Sequence, residues 1–288
     1  MLLSTMLAEE GIGEWGFAAL VELGTRRILF DTGARPDTVW KNAQELGIDL
    51  SQVTDVILSH HHRDHIGGLL TLRRELRTGN PAALSRVHVG RGMFESHSNA
   101  NSDGEKNAML AIKREYEAMG GTFIEHEKPV ELMKGVWLTG PVPRLHPERN
   151  WSGATQIHTT EGWIEDTIPE SQSLVLDTTQ GLVILSGCGH AGIVNTIEHA
   201  RSKIREAPVY AMLGGFHLVE ADDERLEWTG TQLRKFGLRH FLGAHCTGIE
   251  AVFQIRDHAH LDRKRCVVGA VGASFELSAG IDPLTLAR

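Results

Sequence analysis

The stretch that decides the fold is His60-His61-His62-Arg63-Asp64-His65, which follows the apolar run 53–59 and precedes Gly67-Gly68. Its spacing, His-x-His-x-Asp-His, puts four potential metal ligands within six residues. In an extended loop, side chains two residues apart point the same way, so His60 and His62 can converge on one ion. Asp64 and His65 then turn toward a second ion. The stretch therefore predicts a paired metal site, with ions roughly 3.5–4 Å apart.

Composition narrows the class of protein. The 288 residues are 41% hydrophobic, which is enough for a large core, and no linker divides them, so we expect a single domain over residues 1–288. The net charge is −8, from 29 basic against 37 acidic residues, and there is no basic block. Because duplex-binding proteins normally carry a basic stripe, nucleic acid is not an expected partner.

The cysteine content and the apolar runs bear on the compartment. Three cysteines, Cys188, Cys246 and Cys266, are too few and odd in number for a disulfide scaffold. The amino terminus lacks the basic and apolar regions of a signal peptide, and no stretch approaches the ~18 apolar residues of a membrane span. We therefore expect a cytoplasmic protein that acts on a small molecule and has no membrane partner. The sequence is compatible with a homo-oligomer.

Apolar runs and helical segments alternate along the chain, which is typical of an α/β protein. Hairpins are predicted at 16–30 and 173–186. Helices are predicted at 36–47, 67–76, 108–119, 193–206, 224–237 and 249–258. Two segments without periodicity, 90–108 and 141–172, are predicted to be long loops, and the second is expected to cover the site.

The two halves of the chain share one tetrapeptide. Val-Ile-Leu-Ser occurs at residues 56–59 and again at 183–186, each time before a loop rich in glycine and histidine and then a helix. The halves therefore look like copies of one strand–loop–helix plan. Strands are predicted to end in site-like loops near residues 60, 188, 217 and 245. Such loops on a rigid sheet are where chemistry tends to lie.

These motifs resemble those of the metallo-β-lactamase superfamily. The shared residues are Asp31-Thr32-Gly33, the histidine motif with Gly67-Gly68, and the late His245. Within the superfamily, the chain is similar to a branch named for dihydropterin-ribofuranosylaminobenzene-phosphate synthase, through residues 187–195, 214–218 and 245–248. The resemblance extends from about residue 12 to about residue 275. It implies a four-layer αβ/βα sandwich.

The resemblance also implies a set of ligands. His60 and His62 are expected to bind a first metal, and Asp64, His65 and His245 a second. The implied cofactor is Zn²⁺, as one or two ions, with Mn²⁺ or iron as alternatives.

The second half of the ligand set departs from the family pattern. The family's bridging aspartate is expected after the strand at 182–186, where this chain has Cys188. A thiolate ligand at this position would favour Zn²⁺ over Mn²⁺ or Mg²⁺, whereas a buried cysteine that only packs is the alternative. His190 is the nearest candidate to complete the first site, and His217 and His146 are further candidates.

Other residues are assigned supporting roles. Asp31 is expected to orient the histidine loop by hydrogen bonds, and the alternative is a turn aspartate before Gly33. Arg144 is a candidate to bind a phosphate or carboxylate of the substrate, with a plain surface arginine as the alternative. His61 and Arg63 occupy spacer positions and are expected to be exposed.

Three further side chains are assigned by their expected surroundings. Trp151 and Trp163 are candidates to line the mouth of the pocket, with core packing as the alternative. Cys246 is expected to pack rather than to bind metal.

The implied chemistry is hydrolysis by a metal-activated water. Asp64 would bind metal and orient the water, and His217 would bind metal or stabilise the developing negative charge. The leading hypothesis is a metal-dependent hydrolase of a small ester, lactone, phosphoester or related substrate. The name of the branch implies instead a pterin-pathway synthase. Cys188 beside His190 leaves open a third possibility, a metal-binding or redox-sensing protein without turnover.

Overall fold

The structure is a computed structural model that describes residues 1–99, 105–148, 150 and 155–286. Within these residues the strands of the amino-terminal part are β1 (Leu2–Ser4), β2 (Leu7–Ala8), β3 (Ala18–Leu23), β4 (Arg26–Phe30), β5 (Asp55–Ile57), β6 (Arg86–Gly90), β7 (His97–Asn99), β8 (Thr122–His126), β9 (Val130–Met133) and β10 (Val136–Leu138). The later strands are β11 (Thr155–Thr159), β12 (Gly162–Glu165), β13 (Ser173–Thr178), β14 (Gly181–Ser186), β15 (Val209–Gly214), β16 (His240–Gly243), β17 (Cys266–Val268), β18 (Ala270–Val271), β19 (Ser274–Glu276) and β20 (Gly280–Asp282).

The described residues also form α-helices and a short 3₁₀ turn. The helices are α1 (Thr38–Glu45), α2 (Arg63–Ile66), α3 (Leu69–Leu76), α4 (Met109–Ala118), α5 (Ile193–Lys203), α6 (Asp223–Lys235) and α7 (Ile249–His258), and the 3₁₀ turn is His245–Thr247. The predicted hairpins and helices are therefore present, with ends shifted by a few residues. The last three residues of the histidine motif, Arg63, Asp64 and His65, lie in the short helix α2. The sequence pattern did not predict this helix.

Two sheets form the centre of the molecule. One has six strands in the order β1-β3-β4-β5-β6-β8, and the other has seven in the order β17-β16-β15-β14-β13-β10-β9. Strands β4, β5, β6 and β8 are parallel to one another, and so are β14, β15, β16 and β17. Because parallel strands have their carboxyl ends at the same edge, the loops that follow them gather there.

Apolar clusters separate these sheets and helices into four layers. One cluster lies between the six-stranded sheet and α1, α3 and α4, and another between the seven-stranded sheet and α5, α6 and α7. A third fills the space between the two sheets. Strand β4 shows the alternation that this requires, since Leu29 packs toward the helices whereas Ile28 and Phe30 face the other sheet. The predicted four-layer αβ/βα sandwich is confirmed.

The prediction of two structureless loops at 90–108 and 141–172 is wrong. Strands β7, β11 and β12 from these segments pair into a three-stranded antiparallel sheet in the order β12-β11-β7. Ile157 of β11 pairs with His97 of β7, so the two segments hold each other. β11 and β12 form a local hairpin around residues 160–161, whereas β7 is distant from β11 in sequence. All three strands are short, so no extended alternation marks them.

None of the helices in the described part of the chain has the length and apolar character needed to cross a bilayer.

Candidate metal centre

The ends of parallel strands bring the predicted site residues together. Side chains that follow β4, β5, β14, β15 and β16 meet at one edge of the sandwich, and they are Asp31, the motif residues 60–65, Cys188 with His190, His217, and His245 with Cys246. We call this group the strand-end site. Both sheets contribute, so the site lies across the opening between them.

His60, His62 and His190 form the first part of the strand-end site. One ring nitrogen from each lies within 4.8 Å of those of the other two. The second nitrogen of two of these rings is already occupied. Nδ1–H of His190 donates to the backbone carbonyl of Asn150, and Nδ1–H of His60 donates to Ser59 Oγ at 2.9 Å. The Nε2 atom is therefore the one left to bind a cation.

The arrangement of His60 and His190 fits a metal ion. Their Nε2 atoms face each other at 3.2 Å. Burial, together with the neighbouring histidines, lowers the pKa of both rings well below its ordinary value, so both are neutral. Two lone pairs at this distance repel unless a cation balances them. Imidazole nitrogens with a fixed tautomer are the usual ligands of Zn²⁺.

Asp64, His65 and His245 form the second part. Asp64 Oδ2 is 3.1 Å from His245 Nε2 and 3.8 Å from His65 Nε2. Burial alone would lower the pKa of His65, but the carboxylates of Asp31 and Asp64 raise it to about 9. Burial likewise opposes ionisation of Asp64, yet the adjacent histidines lower its pKa below the ordinary range. This part of the site therefore favours positive charge.

Cys188 lies between the two parts. Its Sγ is 3.1 Å from His65 Nε2, and it is within ligand range of His190 and His217 on one side and of His245 on the other. This is where a bridging ligand would lie. Burial raises the pKa of the free Cys188 thiol well above its ordinary value, whereas coordination deprotonates a thiol outright. A thiolate here therefore requires a cation beside it.

Cys246 is closer to the strand-end site than the sequence indicated. Its Sγ is 3.3 Å from Cys188 Sγ and accepts a hydrogen bond from the backbone N–H of His217 at 3.3 Å. With Cys188 and His245 it forms a set of potential ligands. Cys246 is buried, as expected of a cysteine that packs, and it is also a candidate ligand. Its place directly after His245 was the clue available in the sequence.

His217 completes the far wall of the site. Its ring centre is 4.7 Å from that of His190, and its Nδ1 is buried without a hydrogen-bond partner among the residues that the structure describes. His217, His245 and Asp31 all have left-handed backbone conformations, with φ of 47°, 49° and 57°. Such strain in non-glycine residues concentrates at functional sites, and here it occurs at three strand ends that meet.

Asp31 holds the histidine loop in place. Its Oδ1 accepts a hydrogen bond from Ser59 N, and its Oδ2 accepts from Ser59 Oγ and His65 Nδ1, each at 2.7 Å. All three residues are buried. These bonds fix the tautomer of His65 and, through Ser59, that of His60. They have the orienting geometry that the sequence led us to expect.

Glu148 and Asn195 fix the other flank. The Glu148 carboxylate accepts hydrogen bonds from the N–H groups of Val194 and Asn195, in the first turn of α5. The Asn195 side chain accepts in turn from the N–H groups of Leu145 and His146. The loop that begins at 141 is therefore anchored to the helix that follows His190. Nothing in the local sequence pattern marked this pair.

The remaining predicted residues lie outside the strand-end site. His146 pairs with Glu198 at 3.0 Å rather than with the metal ligands. The half-buried Arg144 donates from its guanidinium to the carbonyls of Thr167 and Ile168, so its role toward substrate stays a prediction.

The exposure predictions have mixed outcomes. Arg63 is exposed as expected, but the prediction that His61 is exposed is wrong, because Glu170 covers it. Trp163 is 48% exposed and therefore does not pack in the core, whereas Trp151 lies outside the described residues. Trp15, which the sequence reasoning missed, lies with its ring 5.0 Å from that of His245.

The chain is similar to known proteins of the metallo-beta-lactamase superfamily. The family model of the metallo-beta-lactamase superfamily matches residues 16–99, which include Asp31 and the histidine motif. A solved structure described as a metal-dependent hydrolase of the beta-lactamase superfamily is 27% identical, with a TM-score of 0.74 over 93% of this chain and 94% of that one. The zinc-bound PqqB of Methylobacterium extorquens, at 14% identity and a TM-score of 0.54, shares the fold alone.

A curated relative supports the branch. The 7,8-dihydropterin-6-methyl-4-(beta-D-ribofuranosyl)-aminobenzene-5'-phosphate synthase of Methanocaldococcus jannaschii is 28% identical over 263 residues, which is 89% of this chain and 88% of the relative. The predicted resemblance to the metallo-β-lactamase superfamily, and to this branch within it, is confirmed.

Proposed function

We propose that this protein is a metal-dependent hydrolase that directs an activated water molecule at a small ester, lactone, phosphoester or related substrate. The observation that carries the proposal is the pair of Nε2 atoms of His60 and His190, which face each other 3.2 Å apart in a buried site. The same site contains the carboxylate of Asp64, 3.1 Å from His245 Nε2. This arrangement is suited to a cation, and cation sites with a neighbouring carboxylate activate water. The proposed partner is a small molecule, and the proposed compartment is the cytoplasm.

The residues that would hold metal fall into two sets that share Cys188. His60, His62 and His190 would hold one ion, and Asp64, His65 and His245 the other. Bound divalent ions lower the pKa of water and stabilise negative charge on the reacting group. The nitrogen, carboxylate and sulfur donors favour Zn²⁺, with Mn²⁺ or iron as alternatives.

The protein's own groups supply orientation and charge. Asp64 is ionised and only partly exposed, so its carboxylate can accept a hydrogen bond from the attacking water and fix its direction. Burial disfavours the protonated form of His217, but the Cys246 sulfur and nearby carboxylates raise its pKa, so the ring can donate to a developing oxyanion. The hydrogen bonds from Ser59 and His65 to Asp31 would hold the histidine loop in position during the attack of water.

The test is turnover by the full-length protein loaded with Zn²⁺ or Mn²⁺ on a panel of esters, lactones and phosphoesters. We expect hydrolysis of at least one class, loss of activity with a chelator, and recovery when metal is restored. A His62→Ala variant should be inactive, whereas His158→Ala, which changes an exposed histidine of β11, should keep activity. If the loaded protein cleaves no member of the panel, the hydrolase proposal is wrong.

The similarity to the dihydropterin synthase favours a second candidate, bond formation between a dihydropterin and a ribofuranosylaminobenzene phosphate. In this step the 6-methyl carbon of the dihydropterin, which carries a leaving group, forms a bond to the aminobenzene, and the leaving group and a proton depart. The two candidates differ in product. With both substrates present, a synthase would release the joined compound, detectable by mass spectrometry, whereas a hydrolase would release only cleavage products. A joined product without any hydrolysis on the panel would replace the first candidate by the second.

The contact of 3.3 Å between Cys188 Sγ and Cys246 Sγ favours a third candidate, a redox-sensing metal protein without turnover. Peroxide would then oxidise the two thiols to a disulfide, with reduction of the peroxide to water. The loss of these two thiols would release metal. Unchanged thiol titre and metal content after peroxide treatment would eliminate this candidate.

A further inference from the structure

A second cluster of potential ligands lies beside the strand-end site. His61, His97 and Asp166 each offer one ligand atom, and these atoms all lie within 4.8 Å of one another. Glu170 contacts the cluster through His61. We call these four residues the lateral cluster. Each is at most 8% exposed, so the cluster is closed to solvent.

The tautomer of His97 leaves one nitrogen without a partner. Nδ1–H of His97 donates to the backbone carbonyl of Glu95 at 2.8 Å, so a neutral ring has its lone pair on Nε2. That Nε2 is buried and has no hydrogen-bond partner within the described part of the chain, although Asp166 Oδ2 is 3.4 Å away. A lone pair and a carboxylate oxygen that face each other in the interior repel unless a positive charge lies between them.

The His61 ring is also held through its Nδ1 atom, in this case by a carboxylate. Its Nδ1 is 2.6 Å from Glu170 Oε1, and the same carboxylate oxygen accepts a hydrogen bond from the His61 backbone N–H at 3.2 Å. A carboxylate on Nδ1 fixes the ring so that Nε2 is free to bind a cation, as in carboxylate–histidine–zinc sites. The His61 and His97 rings stack with centres 4.0 Å apart, and one ring nitrogen of each lies within 4.8 Å of an Asp166 carboxylate oxygen.

Two carboxylate oxygens of the lateral cluster lack a close hydrogen-bond donor among the described residues. Glu170 Oε2 is buried there without a hydrogen-bond partner, and Asp166 Oδ2 has two long contacts of 3.4 Å, to Thr155 Oγ1 and His97 Nε2. The cation of Arg144 interacts with both carboxylates electrostatically. Buried charges of this kind are normally paired or coordinate a metal. Two imidazoles and a carboxylate match the preferences of Zn²⁺ and related divalent ions, rather than those of Ca²⁺ or Mg²⁺, which prefer all-oxygen sites.

We propose that His61, His97 and Asp166 bind an additional divalent cation of the Zn²⁺ class, separate from the ions of the strand-end site. Glu170 orients His61 and offers Oε2 as a fourth ligand. The residues come from three parts of the chain: the histidine motif, β7, and the segment that follows β12. The ion therefore ties the small β7-β11-β12 sheet to the motif that carries the strand-end ligands. Its role is structural, since the site is closed.

The test measures zinc equivalents by mass spectrometry in the full-length protein after Zn²⁺ loading and removal of excess metal. His97→Gln and the nearly isosteric Asp166→Asn should each hold one equivalent less than wild type. The matched control is His158→Gln, on the neighbouring strand β11, where the histidine is exposed and lies against Trp163 rather than in the cluster. This control should hold as much zinc as wild type.

A thermal readout separates loss of the ion from loss of the fold. The rise in Tm on adding Zn²⁺ should be smaller in both variants than in the control, while the metal-free proteins have similar Tm values. Equal zinc content in wild type and both variants, or no zinc bound by any of them, would overturn the proposal. Either result would leave His61 as a hydrogen-bond partner of Glu170 alone. The test does not depend on whether hydrolysis is observed.

Discussion

The amino-terminal and carboxy-terminal halves of the strand-end site are built differently. In the amino-terminal half, four expected ligands come from the six consecutive residues 60–65. In the other half, Cys188, His190 and His245 follow two separate strands, β14 and β16. The first half is a local motif, so its ligands are already close together in the sequence. The second exists only when the parallel strands of the other sheet align.

The difference is most visible at the repeated tetrapeptide. Ser59 and Ser186 end the same sequence in β5 and β14, but their surroundings differ. Ser59 Oγ forms hydrogen bonds with Asp31 and His60. Ser186 Oγ is buried with no hydrogen-bond partner among the described residues. The same tetrapeptide therefore precedes two different loops. After β5 it precedes a histidine loop held by hydrogen bonds, and after β14 it precedes a glycine-rich turn that contains Cys188.

The largest expected effect comes from removing a ligand from either half. His60→Ala and His190→Ala should each reduce kcat/KM by at least about a thousandfold, because metal ions supply several kcal/mol to the transition state and each ~1.4 kcal/mol is tenfold. Metal content should fall in both variants. If His190→Ala kept full metal and activity, the two halves would not share an ion.

A smaller effect should separate the two cysteines. Cys188→Ala should lower affinity for the second ion by about a hundredfold or more, which exceeds the usual loss for a group that only orients a ligand. Cys188→Asp should recover much of that affinity, because a carboxylate can bridge. Cys246→Ala is the matched control and should change metal affinity by less than about tenfold. Competition titration with a chromogenic chelator measures all three.

Support of the amino-terminal half should matter less than its ligands. Asp31→Asn keeps the shape of the side chain but weakens the bonds to Ser59 and His65, so metal affinity should fall by about 10–100-fold. Asp37→Asn, which breaks only the half-exposed pair with Lys41, serves as control and should leave affinity unchanged. A loss in the control equal to that in Asp31→Asn would contradict the orienting role.

The smallest effect concerns stability of the strand that delivers the motif. Asp55 opens β5 and bonds to Arg86 at 2.7 and 2.8 Å and to His88 at 3.1 Å. Burial raises the pKa of Asp55, but these partners outweigh burial and hold the pKa below the ordinary range of an aspartate. Its contribution is therefore present above the unfolded pKa and is lost as pH falls through the folded one.

Urea unfolding at several pH values checks this contribution. Asp55→Asn should cost about 1 kcal/mol at pH 7, since part of the network is exposed, and the difference from wild type should shrink as the pH falls below about 4. A difference that stays constant down to the lowest pH would show that the carboxylate charge is not its source.

These contrasts explain how far sequence reasoning could reach. The alternation of strands and helices and the convergence of His60 and His62 followed from hydrophobic periodicity and from one dense motif, both of which are local. The four layers and the assignment of ligands to two ions were implied by the resemblance to the metallo-β-lactamase superfamily. The β7-β11-β12 sheet and the burial of His61 did not, because they depend on pairing between segments far apart in the chain. Cys246 was underestimated for the same reason, since only the alignment of β14, β15 and β16 brings it to Cys188.

The most direct test of the account is a crystal of the zinc-loaded full-length protein, with an anomalous difference map at the zinc edge. We predict two peaks at the strand-end site, one bound by His60, His62 and His190 and the other by Asp64, His65 and His245, with Cys188 Sγ between them. A map in which the amino-terminal motif binds zinc without His190, Cys188 or His245 would contradict the claim that the two halves build one metal centre.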